Sequence, residues 1–283
     1  MVLRLECPPL EREDVHGLQW DRVPVEWKEI MNRRRQMLHQ MCKDLNETTN
    51  TDTPIIVSKH DITDRVIVDD LHRVIVCAIP KAASRSWRKL MLQLNGQLNT
   101  SVVYKDMPYT ETKIYERRLD SYTDFGIHTR VNSHIKIMTV RHPLVRLVSA
   151  YKEQYFLMPR VRKYIRRREG ETRKITFTDF LYYLVGHRNI HWDPFNKLCS
   201  PCKLRYDFVA YFETIEDDTK NIIALLGADD LIKLSPSHRS SKLSSDDEAR
   251  KYYAGIDKQL LKRLKELYWI EEKYFGYNMS LFG

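Results

Sequence analysis

The sequence predicts an α/β domain with a central, mainly parallel sheet flanked by helices. Three observations lead there. Runs of β-branched residues alternate with segments of helical period along most of the chain. Two of those runs each end in a basic loop that opens directly into a helical pattern. Of the 283 residues 42% are apolar and 11% aromatic, enough for a sizeable core. Parallel strands need long crossovers, which intervening helices supply, so the alternation itself argues for parallel pairing.

Residues 1–24 are polar, broken by Pro8, Pro9 and Pro24, and read as an extended lead-in. Residues 25–45 carry a helical pattern through Val25, Trp27, Ile30, Met31, Met37, Leu38, Met41 and Cys42. A loop over 46–54 sets the expected division: 1–54 is a stem-like lead-in with a helix near 25–45, and 55–283 is a single domain. Residues 65–70 and 73–79 are two short strands around a turn. Residues 87–94 form a helix. Residues 99–130 are weakly patterned, with loop elements around Pro108 and Gly126. Residues 135–140 form a buried strand, and Pro143 opens a helix that runs through Tyr155. Thr178 is the expected cap of a helix ending at Val185. Residues 208–212 form a strand, and Thr214 caps a helix to Leu226. One long helix is expected from about Asp246 to Tyr274, with Leu260, Leu261, Leu264, Leu267 and Tyr268 on one face.

The net charge is +9, which favours an acidic partner such as a phosphorylated ligand, acidic glycan, nucleic acid or anionic membrane. Residues 160–174, from Arg160 to Lys174, hold eight basic and two acidic residues, so most of the surplus lies in one segment. Tyr164 is its only aromatic residue, which weighs against nucleic acid and for a polyanion met by spaced cations. No apolar run has the length of a membrane span, and the N-terminal residues do not form a signal peptide. Sequons at Asn46, Asn99 and Asn278 mildly favour a lumenal location. Five cysteines in a chain this long do not form a disulfide scaffold. Cys199 and Cys202 make a lone C-x-x-C without the second pair that zinc needs, so a structural disulfide or packed thiols are expected and no metal. Cys77 falls in a buried strand and is expected to be inert.

The chemistry is concentrated in the two strand–loop–helix units. In the first, a β run ends in Pro80-Lys81, followed by Ala82, Ala83, Ser84, Arg85 and Ser86 and then a helix. Small residues let an anion approach the free N–H groups of a helix start, while Lys81, Arg85 and the two serines add charge and hydrogen bonds. This is not a Walker A loop, because G-x-x-x-x-G-K-[ST] is absent, which argues against a nucleotide kinase. In the second unit Arg141 ends a strand, Pro143 opens the helix, and Arg146 and Ser149 stand three apart on one helix face. Arg141 and Ser149 are placed to clamp a second phosphate.

Together the two units resemble the signatures with which sulfotransferases bind 3′-phosphoadenosine 5′-phosphosulfate (PAPS). The resemblance is to the Golgi carbohydrate sulfotransferases of the chondroitin/dermatan 4-O- and HNK-1-type group. It extends over roughly 30–280, through Arg33 to Cys42, Val66 to Asp70, His191 to Cys202, Tyr206 to Thr214 and Tyr274 to Ser280. It implies a P-loop-like sulfotransferase fold. It assigns Pro80, Lys81, Ala82, Ala83, Ser84, Arg85 and Ser86 to the 5′-phosphosulfate, and Arg141 and Ser149 to the 3′-phosphate. It further implies a Golgi lumenal enzyme with a membrane anchor, acting on an acidic glycan reached through 160–174. The expected acceptor is the N-acetylgalactosamine 4-OH of chondroitin or dermatan; an HNK-1-type glucuronate, or a non-catalytic glycan-binding relative, are the alternatives. In the first loop Ser84, Arg85 and Ser86 depart from the family's usual cysteine, hydroxylic residue and asparagine, and His142 stands where an acidic residue is common.

Sulfuryl transfer needs a base for the acceptor hydroxyl, stabilisation of the leaving phosphate and in-line positioning. Lys81 is the candidate for the leaving group. His191 is the candidate base, with a structural histidine packed on Trp192 as the competing reading and Glu153 as the rival base.

Overall fold

A computed structural model of the chain describes residues 17–47, 53–97, 115–154, 159–169, 175–232 and 245–282. Four strands form one sheet: β1 (Val66–Asp69), β2 (Val74–Cys77), β3 (Ile135–Val140) and β4 (Phe208–Tyr211), in that spatial order. β1 pairs antiparallel with β2 through a tight turn, in which the Asp69 carboxylate accepts the His72 N–H at 2.9 Å. β2, β3 and β4 run parallel, with Val74 opposite Ile135 and Ile137 opposite Phe208. Every residue of β1, β2 and β3 is buried. A strand covered on both faces needs apolar residues on both, which is why these segments read as continuous β-branched runs.

The helices follow in chain order: α1 (Val25–Asp44), α2 (Ser84–Leu94), α3 (Asp124–Ser133), α4 (Pro143–Gln154), α5 (Pro159–Glu169), α6 (Phe177–Val185), α7 (Phe195–Cys199), α8 (Pro201–Leu204), α9 (Ile215–Leu225), α10 (Ser245–Tyr253) and α11 (Lys258–Phe275). Alternate strand residues divide between two cores. Val74, Val76, Ile137 and Phe208 pack with Trp87 and Met91 of α2 and Ile222 and Ile223 of α9. Ile75, Cys77, Met138 and Val209 pack with Phe195, Tyr274 and Phe275 on the other face. A third cluster joins α4, α6, α10 and α11 through Leu147, Phe180, Tyr253 and Leu264.

Within the expected lead-in, α1 packs on the sheet through Trp27 and Met31. Trp27 stacks on Phe208 with ring centroids 5.8 Å apart, and its indole N–H reaches Asp218 at 3.2 Å. The Cys199-Ser-Pro-Cys202 pair does not close on itself. Cys202 joins Cys42 of α1 and Cys199 joins Cys77 of β2, across sequence separations of 160 and 122. Cys77, expected to be inert, is thus a cross-link.

Three local expectations are corrected. Gly126, expected in a loop, lies in the first turn of α3, where Thr123 Oγ1 accepts its N–H at 3.2 Å; only Ile127 and Val131 of this helix are buried, too few to give a visible period. The cap of α6 is Thr176, which exchanges hydrogen bonds with Asp179 in a capping box, so Thr178 is inside the helix. The long C-terminal helix is two helices, broken at Gly255 (φ +83°) and restarted by Asp257, whose carboxylate accepts the Leu260 N–H at 3.0 Å. Residues 98–114, with Pro108, lie outside the described residues.

Candidate active site

The three parallel strands deliver their carboxyl ends to one edge of the sheet, where open α/β sheets place their ligand crevices. Pro80 and Lys81 follow β2, Arg141 follows β3 and Phe212 follows β4. Between them lies a cavity of about 430 Å³ that also reaches Arg65, Ala83, Ser84, Arg85, Arg88, Ser149, Glu153, Ile190 and His191. Among the described residues Arg65, Lys81, Arg85, Arg88 and Arg141 line it with one acid, Glu153; Arg65 and Arg88 also pair with Asp64 and Glu116, and the remaining positive surplus favours an anion.

The first loop is strained in a specific way. Lys81 (φ +69°) and Ala83 (φ +59°) both occupy the left-handed region without being glycine. Each such residue costs about 1–2 kcal/mol. The tertiary frame holds them there: Ala82 is fully buried, its N–H bonds Ile79 O at 3.1 Å, and the Trp87 indole donates to Thr139 Oγ1 at 2.6 Å, fixing α2 on β3. No side chain caps the N-terminus of α2, which opens on the cavity with its partial positive charge. Pro80, Lys81, Ala83, Ser84 and Arg85 line the cavity. Ala82 is a core residue and Ser86 is exposed, and neither is among the lining residues.

Arg141 is buried at the floor. Its Nη1 donates to the Lys81 carbonyl at 3.0 Å, its guanidinium lies 4.1 Å from the Phe212 ring centroid, and its Nε has no protein partner. A buried arginine nitrogen without a protein partner beside a cationic cavity suits the oxygen of an anion. Ser149, two turns along α4, lines the same cavity. Arg146 does not join them. It is fully buried behind the site, with Nη2 donating to the Asp193 carbonyl at 2.6 Å. His142 is a buried strut: Nδ1 accepts the Leu144 N–H at 3.3 Å and Nε2 meets the Asn278 carbonyl at 3.2 Å, which sets the tautomer with the proton on Nε2.

Lys81 is nearly buried and pairs with the Glu153 carboxylate, 72 positions away in the sequence. Burial lowers the Lys81 pKa, Glu153 opposes that shift, and Arg85 and Arg141 add to it. His191 lines the cavity with a buried Nδ1 that has no partner. Burial, then the charges of Lys81 and Arg65, lowers its pKa to about 4, so the ring is neutral near pH 7. The sequence reading did not single out Arg65, Arg88, Ile190 or Phe212 as site residues. Arg88 was reachable, since it stands one helical turn from Ser84 and Arg85; the others arrive only through tertiary packing.

The connection carrying His191 is held from behind by a buried ion pair. Arg146 lies 3.9 Å from Glu271, and Glu271 accepts the Phe195 N–H at 2.8 Å. Glu271→Ala would leave the buried Phe195 N–H without its acceptor, an expected loss of about 1–3 kcal/mol by urea denaturation. Burial pushes the Glu271 pKa up to about 7, against Arg146 and the Phe195 N–H. A folded value above the unfolded one (about 4.3) means stability present at low pH and lost as pH rises through about 7. Glu271→Gln should flatten that dependence.

The basic segment is partly described. α5 buries Val161 and packs Tyr164 edge-on against Tyr183 at 5.1 Å, leaving Arg162, Lys163 and Arg166 exposed. Residues 170–174 lie outside the described residues. Among the described residues no group of acidic, histidine or cysteine side chains could hold a metal, and no helix is long and apolar enough to cross a membrane.

Comparison with known proteins shows the family. A profile described as "Sulfotransferase family" matches residues 64–278, which contain every residue lining the cavity. Human carbohydrate sulfotransferase 10 is 30% identical over 276 residues, covering 88% of this chain and 76% of that protein. The chicken (Gallus gallus) carbohydrate sulfotransferase 10 is 30% identical over 88% of this chain and 75% of its own length. Human carbohydrate sulfotransferase 9 is 27% identical over 96% of this chain and 65% of its own length. No solved structure matches the chain.

Proposed function

The chain belongs to the sulfotransferase family, as a PAPS-dependent carbohydrate sulfotransferase, and we propose that its acceptor is an acidic glycan, sulfated at the N-acetylgalactosamine 4-OH of chondroitin or dermatan. The observation that supports the donor site is the pairing of an uncapped helix start beside Lys81 with a buried Arg141 whose Nε has no protein partner. PAPS carries two anionic groups, and the cavity is lined by cations from both strand–loop–helix units. In this reading Lys81, Ser84, Arg85 and the N-terminus of α2 hold the 5′-phosphosulfate, and Arg141 and Ser149 hold the 3′-phosphate. Lys81 meets the charge that develops on the leaving phosphate. Ile190, His191 and Glu153 form the acceptor side, with His191 able as a neutral imidazole to hydrogen-bond a sugar hydroxyl.

The exposed Arg162, Lys163 and Arg166 of α5 support an acceptor bearing sulfates or uronates, since guanidinium groups fit both geometries. The two cross-links between distant cysteines suit an oxidising, lumenal compartment such as the Golgi.

The donor half is tested by binding. Arg141→Ala should weaken 3′-phosphoadenosine 5′-phosphate (PAP) by about tenfold to a hundredfold, the value of a charge-assisted hydrogen bond. AMP, which lacks the 3′-phosphate, should bind the variant and the wild type alike. Equal losses for both ligands in calorimetry would remove Arg141 from the 3′-phosphate. The acceptor half is tested by offering desulfated chondroitin, dermatan and glucuronate-terminated glycans and analysing the sulfated products. Sulfate on glucuronate alone would replace the chondroitin reading with the HNK-1-type one.

A further inference from the structure

Among the described residues Glu153 is the one carboxylate that lines the cavity. Its side chain is 55% exposed, yet it is bound to the nearly buried ammonium of Lys81. An exposed acid holding the lysine that must serve the leaving group is either an obstacle to the reaction or a part of it. Resting on the sulfuryl-transfer reading above, we propose that Glu153 accepts the proton of the sugar hydroxyl, and that its ion pair with Lys81 is the resting form of these two groups before the donor binds.

Proximity is the first argument. In an in-line transfer the reacting atoms approach to about 3–3.5 Å, so the group serving the leaving oxygen and the group serving the attacking oxygen must be near neighbours. Lys81 and Glu153 already touch. The second argument is the change of partners. When Lys81 turns to the donor's bridging oxygen, the Glu153 carboxylate loses its counter-ion and is free to accept a hydrogen bond from the acceptor hydroxyl. The third is the fate of that proton. Glu153 is open to solvent and can release it after each turnover, whereas a protonated His191 would be a cation enclosed beside Lys81 and Arg65. The low pKa of His191, about 4, has that same cause.

The step balances as follows. The acceptor O–H bond breaks and its proton passes to a carboxylate oxygen of Glu153. The freed electron pair forms the new oxygen–sulfur bond. The bond from sulfur to the phosphate oxygen breaks, its electrons stay on that oxygen, and Lys81 meets the charge. Glu153 then returns the proton to water.

The test uses Glu153→Gln, Glu153→Ala and His191→Gln in the full chain. Glu153→Gln should lower kcat for sulfuryl transfer by about 10²–10⁴-fold. It should also bind PAP as tightly as the wild type or several-fold more tightly, because the carboxylate that competes for Lys81 is gone. A merely structural role would not give that opposite pair of effects. Added formate should restore part of the activity of Glu153→Ala by supplying the missing carboxylate. Transfer by Glu153→Gln within about threefold of wild type would overturn the proposal, since a positioned acid–base group contributes about 10²-fold or more. A loss confined to His191→Gln would move the base to His191 and leave the sulfotransferase reading standing. PAP binding without transfer by the wild type to any glycan would sink the reading on which the proposal rests.

Discussion

Lys81→Ala is expected to lower kcat for sulfuryl transfer by about 10²–10³-fold, the effect of removing one preorganised group from a developing oxyanion. The loss should fall mainly on kcat. The ground-state donor keeps the N-terminus of α2, Arg85 and Arg141, whereas the charge that appears on the bridging oxygen loses its one ammonium. PAP affinity should therefore drop far less than the rate. Alanine is a suitable probe because it meets the same left-handed backbone requirement as lysine at φ +69°, so the loop keeps its shape. Lys81→Arg should not restore the rate, since a planar fork cannot occupy the position of a compact ammonium beside the Arg141 guanidinium. Steady-state kinetics with saturating donor, paired with PAP calorimetry, separates the two effects. A Lys81→Ala protein with unchanged kcat would exclude the proposed role.

The second large effect concerns stability. Breaking the two cross-links should destabilise the fold by about 2–4 kcal/mol each. They close long loops, with separations of 160 and 122, and both end in the short α7–α8 segment. Cys77 lies three residues before Pro80, so the second cross-link ties the segment after His191 to the strand that carries the first anion loop. Cys42→Ala/Cys202→Ala and Cys77→Ala/Cys199→Ala should each lower the urea midpoint, and the second pair should also raise KM for the donor as the Pro80–Lys81 loop loosens. Peptide mapping without reductant should recover the two cross-linked pairs. A Cys199–Cys202 link in that map would contradict the pairing.

Much of the cavity's lining was legible in the sequence because it is local. A strand, a loop of small and basic residues and a helix start follow one another within about fifteen residues around Lys81, and again around Arg141, and each unit folds as local propensity dictates. The parallel order of β2, β3 and β4 then brings the two units to one edge. What was not legible depends on tertiary placement. The Lys81–Glu153 pair spans 72 positions, and no periodicity marks it. The cysteine partners are set by where α1 crosses the α7–α8 turn, so C-x-x-C spacing could not name them. Arg146 shares a helix with Ser149 but is drawn inward by Glu271, a partner from α11. The break at Gly255 was missed because the leucines from Leu260 to Leu267 hold a helical period beyond it and no proline marks the gap. The altered residues of the first loop also sort by position: Ser84 and Arg85 line the cavity, while Ser86 faces outward, so its exchange for asparagine leaves the lining unchanged.

The central claim is that this cavity moves a sulfuryl group from PAPS to a sugar hydroxyl. Its most direct test is the transfer of labelled sulfate from PAPS to desulfated chondroitin and dermatan, followed by disaccharide analysis. The expected result is label on N-acetylgalactosamine at the 4-position, abolished by Lys81→Ala. Binding of PAP with no label on any glycan acceptor would contradict it.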